Sequence, residues 1–542
     1  MKQKSKQNLK QSDNKNFATK KEQKSKNKKK RPILKMFIFV FIIVMICTIE
    51  FLVYKFYTFQ KLTKEMFNNT PSKIYDASQN VIGQIGAERN RDNIKLSSIP
   101  QNLVNAYISI EDKRYYSHFG VDIRSTGSAI LSYISRKGNA NFGGSTITQQ
   151  LVKNLTGDDS NSIKRKIKEW GYACVLNAYF SKDEILEAYF NIIYTGPNIY
   201  GVKTAAKYYF SKEISDLTLA ECAYIAGINN APNSYNPFTD NDRTEKISKR
   251  TKKVLTSMLN LNHISQEEYD AAIIEVDNGL NFKKGDVKTN NLSINSYHTD
   301  ALINEVILDF SKKKHISKDF AENYFCLSGS NIYSTVNNEI QTILEKESKD
   351  SKYIIKSLNT SSTSQAAIVV LDNETGYVVG LIGGLGEKSN SRSFNRATQM
   401  KRQTGSSMKP IAVLLPALAE KQVTNVTLIE DTPSTFIDYK GNLYSPTDYD
   451  PYKGTITLRQ AVESSQNIPF VKIMEKLTPQ TSIKYLEKMG ISSLNDNDVN
   501  LSLALGGLDE GISPLEFAGA YFVIANNRNI YRTYFLFYYN IF

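Results

Sequence analysis

Cysteine and histidine are scarce, with four of each in 542 residues. Cys47, Cys174, Cys222 and Cys326 are scattered, and their spacing suits neither a disulfide framework nor a zinc site. The four histidines are too dispersed for a metal cluster, and the chain has no internal repeat. Net charge is also lacking once the N-terminus is set aside. The formal net charge is +14, yet residues 1–35 contribute +12 of it, with Asp13 and Glu22 as their only acids. A basic globular surface is thereby excluded. The tail holds one aromatic, Phe17, and no folded module, so nucleic-acid binding is excluded too.

The segment next to the tail explains its charge. Residues 36–54 read MFIFVFIIVMICTIEFLVY, bracketed by Lys35 and Lys55. At helical rise this run spans about 28 Å, one hydrocarbon thickness. Glu50 is its single charge, close enough to the end to reach the interface. No small-residue cleavage site comes after it, so the run reads as a permanent anchor and not a cleaved signal. The lysine-rich tail then stays cytoplasmic and touches anionic headgroups, which places the rest of the chain outside the cell membrane as a single-pass protein.

Beyond the anchor the sequence reads as mostly helical up to residue 262. Ser181 with Glu184, Thr218 with Glu221 and Ser265 with Glu268 form capping boxes ahead of apolar-periodic runs, and Gly227 reads as a helix C-terminus. A polar stretch around KKGDVKTNNLSINSYHTD reads as a connector. Residues 366–371 (AAIVVL) and 377–382 (YVVGLI), joined by a turn at 373–376, read as a β-hairpin, with helical patterns after it. The expected division is a basic tail (1–35), a transmembrane helix (36–54), a helical domain (55–262), a linker (263–330) and an α/β domain (331–542).

Four segments of the helical domain stand out. They are Glu111-Asp112-Lys113-Arg114-Tyr115-Tyr116-Ser117-His118-Phe119-Gly120, then Gly143-Gly144-Ser145-Thr146-Ile147-Thr148-Gln149-Gln150 running on to Lys153. The other two are Arg165-Lys166-Ile167-Lys168-Glu169 and Lys182-Asp183-Glu184-Ile185-Leu186-Glu187-Ala188-Tyr189-Phe190-Asn191. Singly, each is an ordinary solvated helix face or helix end. In this order they resemble the peptidoglycan glycosyltransferase domain (family 51) of class A penicillin-binding proteins, a mainly α, lysozyme-like fold. Tyr115 and Phe190 are aromatic swaps, and a fifth element, Arg250-Thr251-Lys252-Lys253-Val254-Leu255, is weakened by Thr251.

The resemblance implies polymerisation of lipid II into glycan strands. Glu111 would be the general base on the acceptor 4-hydroxyl, and Glu169 the second carboxylate near the diphosphate. Lys153, Arg165 and Lys166 would hold the phosphates, and Ser145, Thr146 and Gln149 would line the donor site. Asp112, His118, Gln150 and Asn191, the other motif positions, complete the expected substrate-binding set. No cofactor is implied beyond a divalent metal such as magnesium at the diphosphate. A lysozyme-like fold also raises glycan hydrolysis, but a basic diphosphate-binding cluster has no purpose there.

In the α/β domain, Gly405-Ser406-Ser407-Met408-Lys409-Pro410 precedes Ser465-Gln466-Asn467 at a plausible distance. These resemble the Ser-x-x-Lys and Ser-x-Asn elements of the penicillin-binding transpeptidase. The resemblance makes Ser406 the acyl-enzyme nucleophile and Lys409 its base. Ser465 would relay protons, and Asn467 would hold the peptide or β-lactam amide. The family's third element, Lys-Thr-Gly or Lys-Ser-Gly, occurs nowhere in the sequence. Residues 534–542 (YFLFYYNIF) read as an exposed apolar end and an aggregation liability. The expectation is a frame interrupted near residue 533, leaving an incomplete and inactive transpeptidase behind a working glycosyltransferase. A divergent but intact bifunctional enzyme, or a truncated product without function, stands as the alternative. Implied partners are lipid II, growing glycan strands, membrane lipid and the cell-wall synthesis machinery, with stem peptides and β-lactams if the second domain works.

Overall fold

The computed structural model describes residues 39–86, 89–128, 144–287, 294–356, 362–437, 441, 443–526 and 533–540. The basic tail and Gly143 therefore lie outside the described residues. The anchor is one helix, α1 (Phe39–Met66), long and apolar enough to cross a membrane. It runs past residue 54, and its last turns are part of the protein interior: Phe59, Leu62 and Met66 are buried. Phe59 stacks on Tyr172 at 4.1 Å between ring centroids. The anchor and the first domain thus share a helix, with no joint between them.

The strands β1 (Ser72–Tyr75) and β2 (Val81–Ile85) come next, then the helices α2 (Gln101–Glu111), α3 (Ile147–Thr156), α4 (Ile163–Tyr179) and α5 (Lys182–Ile192). α6 (Val202–Phe210), α7 (Leu219–Ile228) and α8 (Thr244–Asn260) complete the helical domain. The three expected capping boxes all form, at the starts of α5, α7 and α9 (Gln266–Asp277). Gly227 does not end α7; it lies inside the helix, where a Cβ would sit 3.2 Å from the Arg250 side chain.

The linker expectation needs correction. Most of residues 263–330 is helix: α9, α10 (Tyr297–Lys314) and α11 (Lys318–Leu327). Leu302, Val306, Phe310, Tyr324 and Phe325 are fully buried in the same core as the helical domain. The polar run that suggested a connector extends into the first turn of α10. Beyond lie β3 (Asn331–Ser334), α12 (Asn338–Ser348) and the expected hairpin, β4 (Ile368–Leu371) with β5 (Val378–Ile382), paired antiparallel.

The second domain has its own core, from Met408 to Ala520. Its elements are α13 (Leu415–Ala419), β6 (Leu428–Asp431), β7 (Gly454–Thr457), α14 (Leu458–Glu463), α15 (Asn467–Leu477), α16 (Pro479–Lys488) and α17 (Pro514–Asn526).

The aromatic segment after residue 533 is not an exposed end. It forms β8 (Leu536–Asn540), antiparallel to β3 in a sheet ordered β8-β3-β1-β2. Phe535 is buried against His298, its N–H donates to Glu305 Oε2 at 2.8 Å, and Tyr539 donates to Asp309 Oδ2 at 2.9 Å. Backbone pairing and this acidic face of α10 satisfy a segment that composition alone marks as a liability.

Candidate active sites

The first cleft is organised by α3. Thr146 caps it: its hydroxyl accepts from Gln149 N–H and donates to Gly120 O at 2.6 Å, while Gln149 Oε1 accepts from Thr146 N–H. Successive glutamines then point to two different carboxylates. Gln149 Nε2 donates to Glu169 Oε1 at 2.9 Å, and Gln150 Nε2 donates to Glu111 Oε2 at 2.8 Å. Neighbours on a helix diverge by about 100°, so one turn of α3 joins the end of α2 to the middle of α4. Gln150 cannot flip, because its Oε1 accepts from Tyr189 at 2.9 Å and Asn229 at 3.1 Å. Arg250 approaches the other Glu111 oxygen at 3.7 Å and is steadied by Gly227 O.

Around Glu169 sit the cations. Arg165 pairs with it at 2.5 Å and Lys166 bonds its other oxygen. Lys166 also donates to Ser145 Oγ at 2.7 Å. Burial pushes the Lys166 ammonium below the usual lysine range, with Glu169 pulling it back up and Arg165 and Lys153 adding to the fall. Lys153, in the last turn of α3, is exposed beside this cluster. A buried carboxylate thus holds two cations where a charged leaving group can be received.

Three residues of the expected substrate-binding set bond to the scaffold. Asp112 accepts from His118 Nε2 at 2.9 Å and from Ile147 N–H at 3.0 Å, and His118 Nδ1 accepts from Gly120 N–H. Asn191 accepts from Ile94 N–H and donates to Ile94 O and Glu187 O, all within 2.9 Å. Their polar atoms are used in locking the loop after α2 and the 94–96 segment, because each sits under a chain reversal with unpaired main-chain groups.

In the second cleft Ser406 lies in a tight turn over Gly405–Met408 and is exposed, whereas Lys409 is buried. A π turn over Pro410–Leu414 comes next. Gly506 makes this arrangement possible: it has φ +75°, and a Cβ there would lie 2.3 Å from Gly405 O. Lys409 Nζ donates to Ser465 O at 2.5 Å, Ser465 Oγ at 3.2 Å and Asn467 Oδ1 at 2.8 Å. Ser465 holds a left-handed backbone, φ +55°, which turns both its oxygens toward the lysine. Burial lowers Lys409 to about 8, against the pull of Asp448. A lysine of that kind can take a proton near neutral pH. Among the described residues none hydrogen-bonds the Ser406 hydroxyl, so Ser406 and Lys409 are three residues apart in sequence but not coupled.

Two family models match this chain: the transglycosylase over residues 78–259, and the penicillin-binding protein transpeptidase domain over residues 366–537. Penicillin-binding protein 1A of Clostridium botulinum is 36% identical over 473 residues, 84% of this chain and 57% of that protein. The chain belongs to the class A penicillin-binding proteins. Penicillin-binding protein 1F of Bacillus subtilis is 33% identical over 474 residues, 87% of this chain and 62% of the relative. The chain spans about three fifths of the length of these relatives. The crystal structure of penicillin-binding protein 1A from Haemophilus influenzae aligns at 21% identity with TM-score 0.45, covering 87% of this chain and 70% of that one.

As a class A penicillin-binding protein, the chain brings Glu111, Gln150 and the group of Ser145, Thr146, Gln149, Arg165, Lys166 and Glu169 to the two faces of one helix. Tyr189 and Asn229, which orient Gln150, are not marked for such a role by the sequence. Tyr189 lies within the fourth motif, but Asn229 carries no local signal: only tertiary folding brings α7 to α3. Thr251, where the family has a second arginine, is buried and bonds back to Ile247 O at 2.9 Å, so that position faces its own helix.

Proposed function

We propose that the first cleft polymerises lipid II. Glu111 takes the proton of the acceptor 4-hydroxyl as the new bond to the donor anomeric carbon forms. The bond from that carbon to the lipid diphosphate breaks, and Arg165, Lys166 and Lys153 receive the departing charge. Glu169 holds these cations in place. The observation that carries the reading is the division of Gln149 and Gln150 between the two carboxylates, which fixes a proton acceptor and a cation cluster against the two faces of α3. Membrane anchoring by α1 keeps the cleft near a lipid-borne substrate, with the N-terminus cytoplasmic and both clefts outside. Growing glycan strands and the cell-wall synthesis machinery are the further partners.

Among the described residues no group of three or more His, Cys, Asp or Glu could hold an ion, and Glu169 accepts from three donors. Magnesium, if used, arrives on the diphosphate.

For the second cleft the proposal is acyl transfer at Ser406 with Lys409 as base. The test supplies the purified full chain in detergent with lipid II and follows glycan polymer and released lipid diphosphate. Both should accumulate; absence of polymer would remove the glycosyltransferase reading.

A further inference from the structure

The packing of α1 fixes which residues stand at the membrane surface. Every residue from Phe39 to Tyr54 is exposed, Lys55 and Phe56 are half-buried, and Thr58 and Phe59 are buried. The side chains suited to lipid therefore stop at Lys55, and whatever packs beside that residue lies at headgroup level. α10 ends there. Lys55 Nζ donates to the carbonyl of His315, the residue that caps α10, and the Tyr54 and His315 rings meet edge-on at 6.4 Å. Lys312, Lys313 and Lys314 occupy the last turn of α10, and Lys318 opens α11. On α4, Lys168 is exposed one turn before Tyr172, the ring stacked on Phe59. Folding thus carries lysines from far along the sequence to the foot of the anchor.

Local structure accounts for only some of these charges. Lys313 pairs with Asp309 at 2.8 Å, and lysines in a last turn suit a helix C-terminus. Lys318 stands at the opposite end of its helix, where a cation opposes the dipole. Among the described residues Lys168, Lys312, Lys314 and Lys318 form no ion pair or side-chain hydrogen bond. The nearby acids are engaged elsewhere: Asp309 with Lys313 and Tyr539, Glu65 with the Tyr324 hydroxyl, and Asp319 against Gly157. We propose that Lys55, Lys168, Lys312, Lys314 and Lys318 form one collar that receives the phosphates of anionic phospholipids in the outer leaflet. The collar rests on α1 spanning the membrane with both clefts outside. It is independent of the polymerisation chemistry and of the basic tail on the other side of the bilayer. A lysine at headgroup level attracts anionic lipid within a Debye length, about 8 Å. Five such charges hold the α10 corner of the first domain down on the surface.

The test reads each lysine separately. The full chain is placed in phosphatidylcholine nanodiscs with or without about one third phosphatidylglycerol, and labelling by a membrane-impermeant amine reagent is followed by mass spectrometry of the peptides. Phosphatidylglycerol should slow labelling of Lys168, Lys312, Lys314 and Lys318 threefold or more, and about 0.5 M NaCl should restore it. Lys64, exposed about 14 Å further out on α1, and the exposed Lys484 of α16 should keep their rates. In the triple variant Lys312→Gln, Lys314→Gln, Lys318→Gln the effect at Lys168 should shrink to less than half. Equal rates in the two kinds of disc would overturn the proposal, as would equal slowing of Lys64 and Lys484. Slowing by inorganic phosphate in phosphatidylcholine discs would assign the lysines to free anions and overturn it too. An undiminished effect at Lys168 in the triple variant would overturn the single collar. Release of the chain from the discs by salt alone would instead remove the anchor on which the collar stands. A chain that makes no glycan leaves these outcomes unchanged.

Discussion

Exchanging Glu169 for glutamine isolates the charge at the centre of the first cleft. Glu169 is 5% exposed and accepts from Gln149, Arg165 and Lys166, the last 6% exposed. Glutamine keeps the shape and leaves Lys166 buried without a counter-charge. Removing one partner of a buried pair costs about 3–5 kcal/mol. Arg165 reaches water more easily than Lys166, so the low end applies, about 3 kcal/mol by the same rule. For a domain of this size 1 kcal/mol moves Tm by about 2–4 °C, so the drop should be roughly 6–12 °C. The single tryptophan, Trp170, is the next residue on α4 and gives a local fluorescence signal for the transition. Adding Lys166→Met to Glu169→Gln removes the stranded charge and should recover more than half of the loss. A Glu169→Gln chain unfolding within about 1 °C of wild type, on the same conversion, would refute the reasoning, as would a double variant less stable than the single one.

Two more outcomes are expected from the site and the packing around it. His298 is fully buried and donates through Nε2–H to Val378 O at 2.7 Å, and burial lowers it to about 4. A group whose folded value lies below its unfolded 6.5 gives stability present above pH 6.5 and lost as pH falls toward 4, here up to about 3 kcal/mol. Urea unfolding at about pH 7.5 and about pH 4.5, on either side of that window, should show the loss in wild type and a much smaller one in His298→Gln; equal losses would contradict it. At the second cleft, fluorescent-penicillin labelling should be absent in Ser406→Ala. Whatever labelling occurs should rise with pH through about 8 as Lys409 gives up its proton. Labelling independent of pH would remove the assigned base.

Much of this was readable in the chain because its signals are local. A capping box needs four residues, and all three expected ones form; the hairpin needs two alternating runs and a turn, and β4 and β5 pair as expected. Glu111 at the end of α2 and Ser406 at the start of a turn are also local facts. The partition of Gln149 and Gln150 between Glu169 and Glu111 was not readable, because it depends on how three helices cross. For the same reason the scaffold bonds of Asp112, His118 and Asn191 were not readable: a motif shows that a residue is constrained in type, not whether ligand or main chain constrains it. The polar run before residue 300 concealed α10 and α11, whose apolar faces become visible only against α1, α3 and β5. The aromatic segment after residue 533 looked like a liability until β3 supplied its hydrogen-bond partners.

The central claim is that Glu111 is the proton acceptor for glycan polymerisation. Full-length Glu111→Gln, shown by Trp170 fluorescence to unfold at the wild-type temperature, should form no glycan polymer from lipid II. Polymerisation at the wild-type rate by that variant would contradict the account.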